Sequence, residues 1–291
     1  MNKLFFVLFV TMLLSCEKDI NFDLKWSPDL VVVEAVIEND KAPTVILTKS
    51  FSYFSNISPQ ILEQSFVHQA DVFISNGTLT HKLKEYSYTP IPGYTAYVYQ
   101  VDSASLSTSF SGAFNTTYTL KILAEGKEYN ATTRIPALAT FPDSVYFKQA
   151  PFIPDSNKRR MFVKATDPLG LGNYVRYFTQ RNSGAFLPGR ASVYSDEVID
   201  GTTYDVSFPQ GIDRNFPLEP DSNFYNRGDT VTLKFCNIDK ASYTFWSTWE
   251  FAYQSIGNPF SQPNKVLGNI SNGALGVFCG YAAWYRRKIV E

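Results

Sequence analysis

The feature that most constrains the fold is a succession of short β-rich segments separated by turns. Two pairs of segments flank the turn sequences Asn76-Gly77 and Ala124-Glu125-Gly126-Lys127. Asn-Gly between such segments is a strong hairpin signal, because a type I′ turn needs positive φ at both central residues. The segments predicted as strands are residues 30–37, 44–48, 70–75, 78–83, 94–101, 118–123 and 129–135.

A second group of β-rich segments follows residues 135–142, which contain two prolines and are predicted to be a linker. Asp239 can cap a helix over about residues 240–255, whose aromatic side chains favour packing on a sheet. Residues 209–229 are predicted to form a long loop, and residues 276–289 a closing strand or strand pair. The other predicted strands are residues 145–148, 161–165, 174–179, 192–198, 204–208 and 231–236.

This pattern predicts a mainly β protein of two domains. Strands at the spacing of the first group are typical of an immunoglobulin-like β-sandwich, which we place at residues 29–136. The disulfide and the core Trp of antibody domains are absent from this region, so only the architecture is predicted. Residues 143–291 are predicted to form a second β-rich domain with one short helix.

The N-terminus indicates a secreted, lipid-anchored protein. Met1-Asn2-Lys3 is a short basic start, and the apolar run at residues 4–14 is shorter than the roughly 20 residues that span a bilayer as a helix. Leu13-Leu14-Ser15-Cys16 resembles a bacterial lipobox, so we predict a signal peptide at residues 1–15 and lipidation of Cys16. The alternative is an ordinary signal peptide with a chance Cys.

Residues 16–28 would then form a tether that holds the chain to the membrane through its lipid. Glu17-Lys18-Asp19 resembles the export signal of Bacteroidetes lipoproteins that face outward from the outer membrane. A solvated tether without signal function is the alternative. We predict a lipid-anchored protein of the outer membrane that faces the cell surface.

Composition argues against several classes of function. The chain has 26 Lys and Arg against 27 Asp and Glu, which leaves no basic excess for nucleic-acid binding. It has only two histidines, His68 and His81, and no Gly-x-Ser-x-Gly sequence, so the common hydrolase motifs are missing. A triad built from distant residues is still possible. We predict no catalytic residues and no cofactor.

Three further motifs do not meet the requirements of the sites that they resemble. Gly170-Leu171-Gly172 lacks the third Gly of a dinucleotide loop, so we interpret it as a turn. Asp221-Ser222-Asn223 resembles the start of a calcium loop but lacks its sixth-position Gly and its late acid, so we predict no metal site. Asp196 and Glu197 would point to opposite faces of a strand, which makes them a poor hydrolytic pair.

Two residue pairs leave alternatives open. Cys236 and Cys279 are the cysteines that remain besides Cys16, and a secreted protein permits a disulfide between them. The alternative is two separate buried thiols. Tyr97 and Tyr99 share one strand face and could form a ligand-facing aromatic platform, whereas cross-strand packing is the alternative.

Four segments carry a resemblance to a known family. They are residues 15–20 at the start of the mature chain, residues 30–35 in the first predicted strand, residues 70–77 in a hairpin, and residues 258–263 with 269–278 near the C-terminus. Together they resemble a family of Bacteroidetes outer-membrane lipoproteins catalogued as domain of unknown function (DUF) 4249. The likeness spans nearly the full mature chain, and its C-terminal segment is the most specific.

The resemblance implies an outer-membrane lipoprotein of unassigned activity, associated with TonB-dependent receptors. No catalytic residues carry over from the family. We therefore expect a non-enzymatic accessory or ligand-capturing partner of a TonB-dependent receptor. The alternatives are a stand-alone surface module that binds a carbohydrate or peptide and, third, a hydrolase.

Overall fold

A computed structural model describes residues 29–51, 58–151, 153–216, 223–258 and 264–291. The predicted signal peptide (1–15), the tether (16–28) and the lipidation site Cys16 lie outside these residues, as do residues 221 and 222 of the rejected calcium loop. The protein is mainly β, as the sequence predicted. Among the described residues, no helix combines the length and the apolar character needed to cross a membrane.

All seven strands predicted before residue 136 are present, and they form the N-terminal group. These are β1 (Val31–Glu38), β2 (Thr44–Lys49), β3 (Asp71–Ser75), β4 (Thr80–Ile91), β5 (Tyr94–Val101), β6 (Thr116–Ala124) and β7 (Lys127–Ile135). A short helix α1 (Pro59–Gln64) and a 3₁₀ turn (Leu106–Thr108) were not predicted.

Eight strands follow and form the C-terminal group. They are β8 (Pro142–Gln149), β9 (Lys158–Thr166), β10 (Tyr174–Arg181), β11 (Leu187–Ser195), β12 (Thr203–Phe208), β13 (Tyr225–Asn226), β14 (Thr230–Ile238) and β15 (Leu275–Ile289). The two-residue β13 lies in the predicted long loop and was missed, since two residues carry no periodicity. The predicted helix is present as α2 (Lys240–Gln254).

The strands form two sheets. The larger has eleven strands in the order β11-β10-β14-β15-β1-β2-β5-β4-β3-β6-β7. In the smaller sheet β9 is central, with β8 on one side and β12 and β13 on the other. The smaller sheet packs against the C-terminal strands of the larger one through a core that includes Met161, Tyr177 and Phe235.

The last strand joins the two groups. β15 pairs with β14 in antiparallel fashion and with β1 in parallel fashion, with Phe278 opposite Ala35. Alternate residues of β15 therefore serve different cores, with Phe278 in the N-terminal core and Cys279 in the cluster beneath α2. The domain division at residues 136 and 143 and the immunoglobulin-like arrangement stay predictions, although β15 contributes to both groups.

The two predicted hairpins use different turns. In the β6–β7 hairpin Ala124 pairs with Lys127, and both central residues, Glu125 and Gly126, have positive φ. That geometry was predicted for Asn76-Gly77, but there β3 and β4 are joined by the four residues 76–79 and only Gly77 has positive φ. The Asn76 side chain instead accepts hydrogen bonds from the amides of residues 78 and 79, which closes the longer turn.

Helix α2 is held to the sheets by polar side chains at both ends. Asp239 caps it by accepting from the Ser242 amide, and its other oxygen accepts from the Arg134 amide of β7. Near the C-terminal end, the buried Glu250 accepts from the amide and hydroxyl of Ser192 on β11 and pairs with Arg214 at 2.9 Å. This network fixes the helix on the sheet.

Candidate functional site

A pocket of about 280 Å³ lies between the edge of the larger sheet and the smaller sheet. Its size is near the lower end of small-molecule pockets. Most of its exposed lining is apolar, and polar groups converge at one end, which is the usual composition of a ligand site. We call it the intersheet pocket. Its apolar walls include Val175, Tyr194, Ile199, Tyr204, Val206 and Phe208.

Two loops form the polar end of the intersheet pocket. Residues 167–173 connect β9 to β10, and residues 196–202 connect β11 to β12. The turn predicted at Gly170-Leu171-Gly172 is confirmed, since Gly170 and Gly172 both have φ of 115°, which L side chains rarely adopt. In the second loop Gly201 also has positive φ. The loops therefore fold back tightly and bring their acidic residues together.

The loops bring together the carboxyl groups of Asp167, Asp196 and Asp200, which we call the acidic cluster. One carboxylate oxygen from each lies within 4.8 Å of the others. Asp196 Oδ2 accepts from the amides of Gly172 and Asn173, both at 2.8 Å. Asp200 Oδ1 is held by the Gly170 amide at 2.7 Å.

Asp167 is the most unusual member of the acidic cluster. Its side chain is 3% exposed, and Oδ1 accepts from the Thr140 hydroxyl at 3.1 Å, but Oδ2 has no hydrogen-bond partner among the described residues. Burial raises the pKa of this carboxyl, and the negative charges of Asp196 and Asp200 raise it further against the lowering by Thr140. The folded protein therefore disfavours the ionised form of Asp167.

The two loops beside the pocket carry exposed apolar side chains, of which Val198 also lines the pocket, and we call this loop surface the mouth. Leu169 and Leu171 stand on the first loop and Val198 on the second, and Leu169 and Val198 are 89% and 90% exposed. Leu169 lies against Gly201, which places the two loops in contact. Exposed apolar groups concentrated at a pocket mouth are typical of a surface that binds a partner.

Tyr97 and Tyr99 do not form the predicted ligand-facing platform. Tyr99 is 2% exposed, and its hydroxyl donates to the Val67 carbonyl and accepts from the Ala70 amide. Tyr97 is half-buried, with its ring edge-on to His68 at a centroid distance of 4.5 Å. Both side chains instead contact the segment of residues 66–70 that precedes β3.

Cys236 and Cys279 are free and buried, so the disulfide interpretation is wrong. Cys236 pairs with Ala283 on the neighbouring strand, four residues beyond Cys279. Four strand residues correspond to roughly 13 Å, well beyond the Cα separation of a disulfide. The Cys279 sulfur instead accepts from the Trp246 indole at 3.2 Å.

Both histidines are bonded to other residues of the chain. His81 is buried, bonds Thr108 through Nδ1 and accepts from the Asp102 amide through Nε2. His68 pairs with Glu85 on the protein surface. Within the described residues, neither ring lies beside a nucleophile and an acid in the arrangement of a catalytic triad.

Sequence reasoning considered Asp196 only as a partner for Glu197 and missed Asp167 and Asp200. A signal was present, since Asp167-Pro168 precedes the turn at Gly170 and Asp200 directly precedes Gly201. Both acids therefore stand beside tight turns. Their meeting depends on how β9 and β11 are placed, which local sequence does not specify.

The structure defines a mainly β protein with a pocket between its two sheets. The chain belongs to the family described as domain of unknown function (DUF4249), whose profile matches residues 17–286. The family membership that the sequence resemblance indicated is thereby confirmed. The lipid anchor and the outer-membrane location stay predictions. No curated protein matches the chain.

Proposed function

We propose that this protein is a non-enzymatic, lipid-anchored protein of the outer membrane. It captures a small ligand at the cell surface in the intersheet pocket and acts as an accessory partner of a TonB-dependent receptor. The observation that carries the proposal is the pocket itself, with apolar walls, a polar end and exposed apolar side chains at its mouth.

The lining indicates the chemistry of the ligand. Tyr194, Tyr204 and Phe208 offer aromatic surface to an apolar body. Asn173 and Ser195 lie with the acidic cluster at the polar end and can hydrogen-bond a hydroxyl-bearing group. The ligand is therefore a small amphipathic molecule, with its polar part directed toward the two loops.

The mouth supports contact with a receptor. A ligand handed to a transporter must leave through the mouth, where Leu169, Leu171 and Val198 are exposed. An apolar rim around a polar pocket end is suited to docking against another protein. The receptor class comes from the association that the family resemblance implies, and the lipobox at Cys16 supports the anchor.

The alternative is a stand-alone surface module that binds carbohydrate or peptide. The inward-turned Tyr99 removes the aromatic platform that first suggested it. It becomes the favoured function only if no receptor is recovered with the protein from cells.

The test is crosslinking and affinity purification of the tagged full-length chain, with Cys16 retained, from intact source cells. We compare the wild type with Leu171→Glu at the mouth and with Leu106→Glu, an equally drastic change of an exposed leucine in the N-terminal group. We expect a TonB-dependent receptor with the wild type and Leu106→Glu, and a strong loss with Leu171→Glu. Recovery of the chain alone, or equal recovery with all three, would contradict the proposal.

A further inference from the structure

We propose that Asp167, Asp196 and Asp200 together bind one divalent cation, Ca²⁺, at the polar end of the intersheet pocket. This inference goes beyond the proposed function. It requires neither a receptor nor an organic ligand, because cation binding is measurable on the purified protein alone.

The spacing of the carboxylates fits one ion. Ca²⁺ binds oxygen at about 2.3–2.6 Å, so two oxygens on one ion lie at most about 5 Å apart. The three oxygens of the acidic cluster lie within 4.8 Å of one another. Mg²⁺ demands near-ideal octahedral geometry at about 2.1 Å, whereas Ca²⁺ tolerates irregular sets completed by carbonyls and water.

An independent observation at Asp167 points to a missing partner. The side chain is almost fully buried, yet Oδ2 lacks a hydrogen bond among the described residues. The Gly201 amide is near enough to lower the pKa of this carboxyl but does not complete a hydrogen bond to Oδ2. Buried polar atoms are rarely left unpaired, because desolvation then goes uncompensated. A bound cation supplies that partner.

The charge balance leads to the same conclusion. Within the described part of the chain, no Lys, Arg or His forms an ion pair with Asp167, Asp196 or Asp200. Three carboxylates this close repel one another unless a cation or a proton intervenes. Since all the donor atoms are oxygens, the set favours a hard cation over Zn²⁺ or Cu²⁺.

The loops hold the carboxylates in place through their other contacts. The amides of Gly172 and Asn173 orient Asp196, the Gly170 amide orients Asp200, and Thr140 orients Asp167. Such outer contacts fix ligand orientation in metal sites. The half-buried Asp200 leaves a route by which an ion can enter.

The first test is calorimetric titration of CaCl₂ into the full-length lipidated protein in detergent, after chelation and dialysis. We expect one ion per chain, with binding weakened at least about tenfold in Asp200→Asn and in Asp167→Asn. Glu197→Gln is the matched control, because it removes one charge from the same loop at an exposed side chain. Its affinity should stay within about twofold of the wild type.

A second readout places the ion in the pocket. Tyr204 lines the intersheet pocket together with Asp167 and Asp196. Tb³⁺ bound at the acidic cluster should therefore show tyrosine-sensitised emission that Ca²⁺ abolishes. Tyr204→Phe should weaken the emission while leaving the calorimetric Ca²⁺ affinity within about twofold of the wild type.

Two results would overturn the inference. One is a folded wild type, verified by circular dichroism, that takes up neither Ca²⁺ at about 10 mM nor Tb³⁺, since even weak extracellular sites bind in the millimolar range. The other is equal Ca²⁺ affinity in wild type, Asp200→Asn and Asp167→Asn. Either result would mean that a shared proton, and not a cation, reduces the repulsion among the three carboxylates. The receptor experiment is unaffected by these outcomes, so failure of one proposal is distinguishable from failure of the other.

Discussion

Gly280 of β15 lies directly against the main chain of Arg134 on β7, so closely that a Cβ at position 280 would fall 2.6 Å from the Arg134 carbonyl oxygen. The Gly280 amide donates to the Thr133 hydroxyl at 2.8 Å, which is a second contact between β15 and β7. The strand at the far edge of the eleven-stranded sheet therefore returns to the middle of that sheet. This contact encloses the N-terminal core.

Gly280→Ala should destabilise the protein. The added methyl group meets backbone atoms, which cannot rotate away, so β7 and β15 must separate. We expect a loss of about 1–3 kcal/mol in the free energy of unfolding, measured by denaturant titration. Gly184→Ala is the control, because its nearest neighbour would be at 3.1 Å and its φ is not positive. Equal stability of the two variants would contradict the close approach.

Glu250→Ala should be among the most damaging changes in α2. It leaves the mostly buried Arg214 without its counter-charge and Ser192 without its acceptors. We expect a loss of about 3–5 kcal/mol, measured by denaturant unfolding. The adjacent Phe251→Ala removes a larger but exposed side chain and should change stability by only about 0.5 kcal/mol. A reversed order of the two effects would show that the network does not hold the helix.

Glu38 should make stability depend on pH. Burial acts to raise the pKa of this carboxyl, but ion pairs with Lys234 and Lys41 and the Tyr285 hydroxyl outweigh it and lower the pKa. A lowered pKa means that the stabilisation is present above the unfolded value of 4.5 and is lost as the pH falls through the folded value.

We therefore expect Glu38→Gln to cost about 3 kcal/mol at pH 7, measured by denaturant unfolding, because it leaves the mostly buried Lys234 unpaired. The difference from wild type should shrink steadily below pH 4.5. Glu128→Gln, at an exposed ion pair, should give a much smaller difference at neutral pH. A difference between Glu38→Gln and wild type that is the same at pH 3 and pH 7 would refute this role.

Local sequence was sufficient to predict every strand described here except the two-residue β13. Alternation of buried and exposed residues marked segments such as β7, where Tyr129, Ala131 and Ile135 face the core. The helix at residues 240–254 was predicted from its Asp239 cap. These signals lie within a few residues of one another.

The long-range relationships were not predictable in this way. The pairing of β1 with β15 joins residues more than 240 positions apart. The sequence of neither strand indicates which strand it pairs with. The disulfide question depended on the register of β14 against β15, which puts Cys236 beside Ala283. The acidic cluster could not be predicted for the same reason, because the arrangement of two loops is what brings Asp167 close to Asp200.

The most direct test of the central claim is whether the intersheet pocket holds the ligand. The full-length protein is purified from its source cells, and the small molecules that it retains are released and identified by mass spectrometry. Val206→Trp fills the pocket from β12, and Thr117→Trp places the same bulk on an exposed site of β6.

We expect a compound with an apolar body and a hydroxyl-bearing end that is retained by the wild type and by Thr117→Trp but is missing from Val206→Trp. Equal retention of the same compound by all three proteins, or no retained compound in any of them, would contradict ligand capture in this pocket.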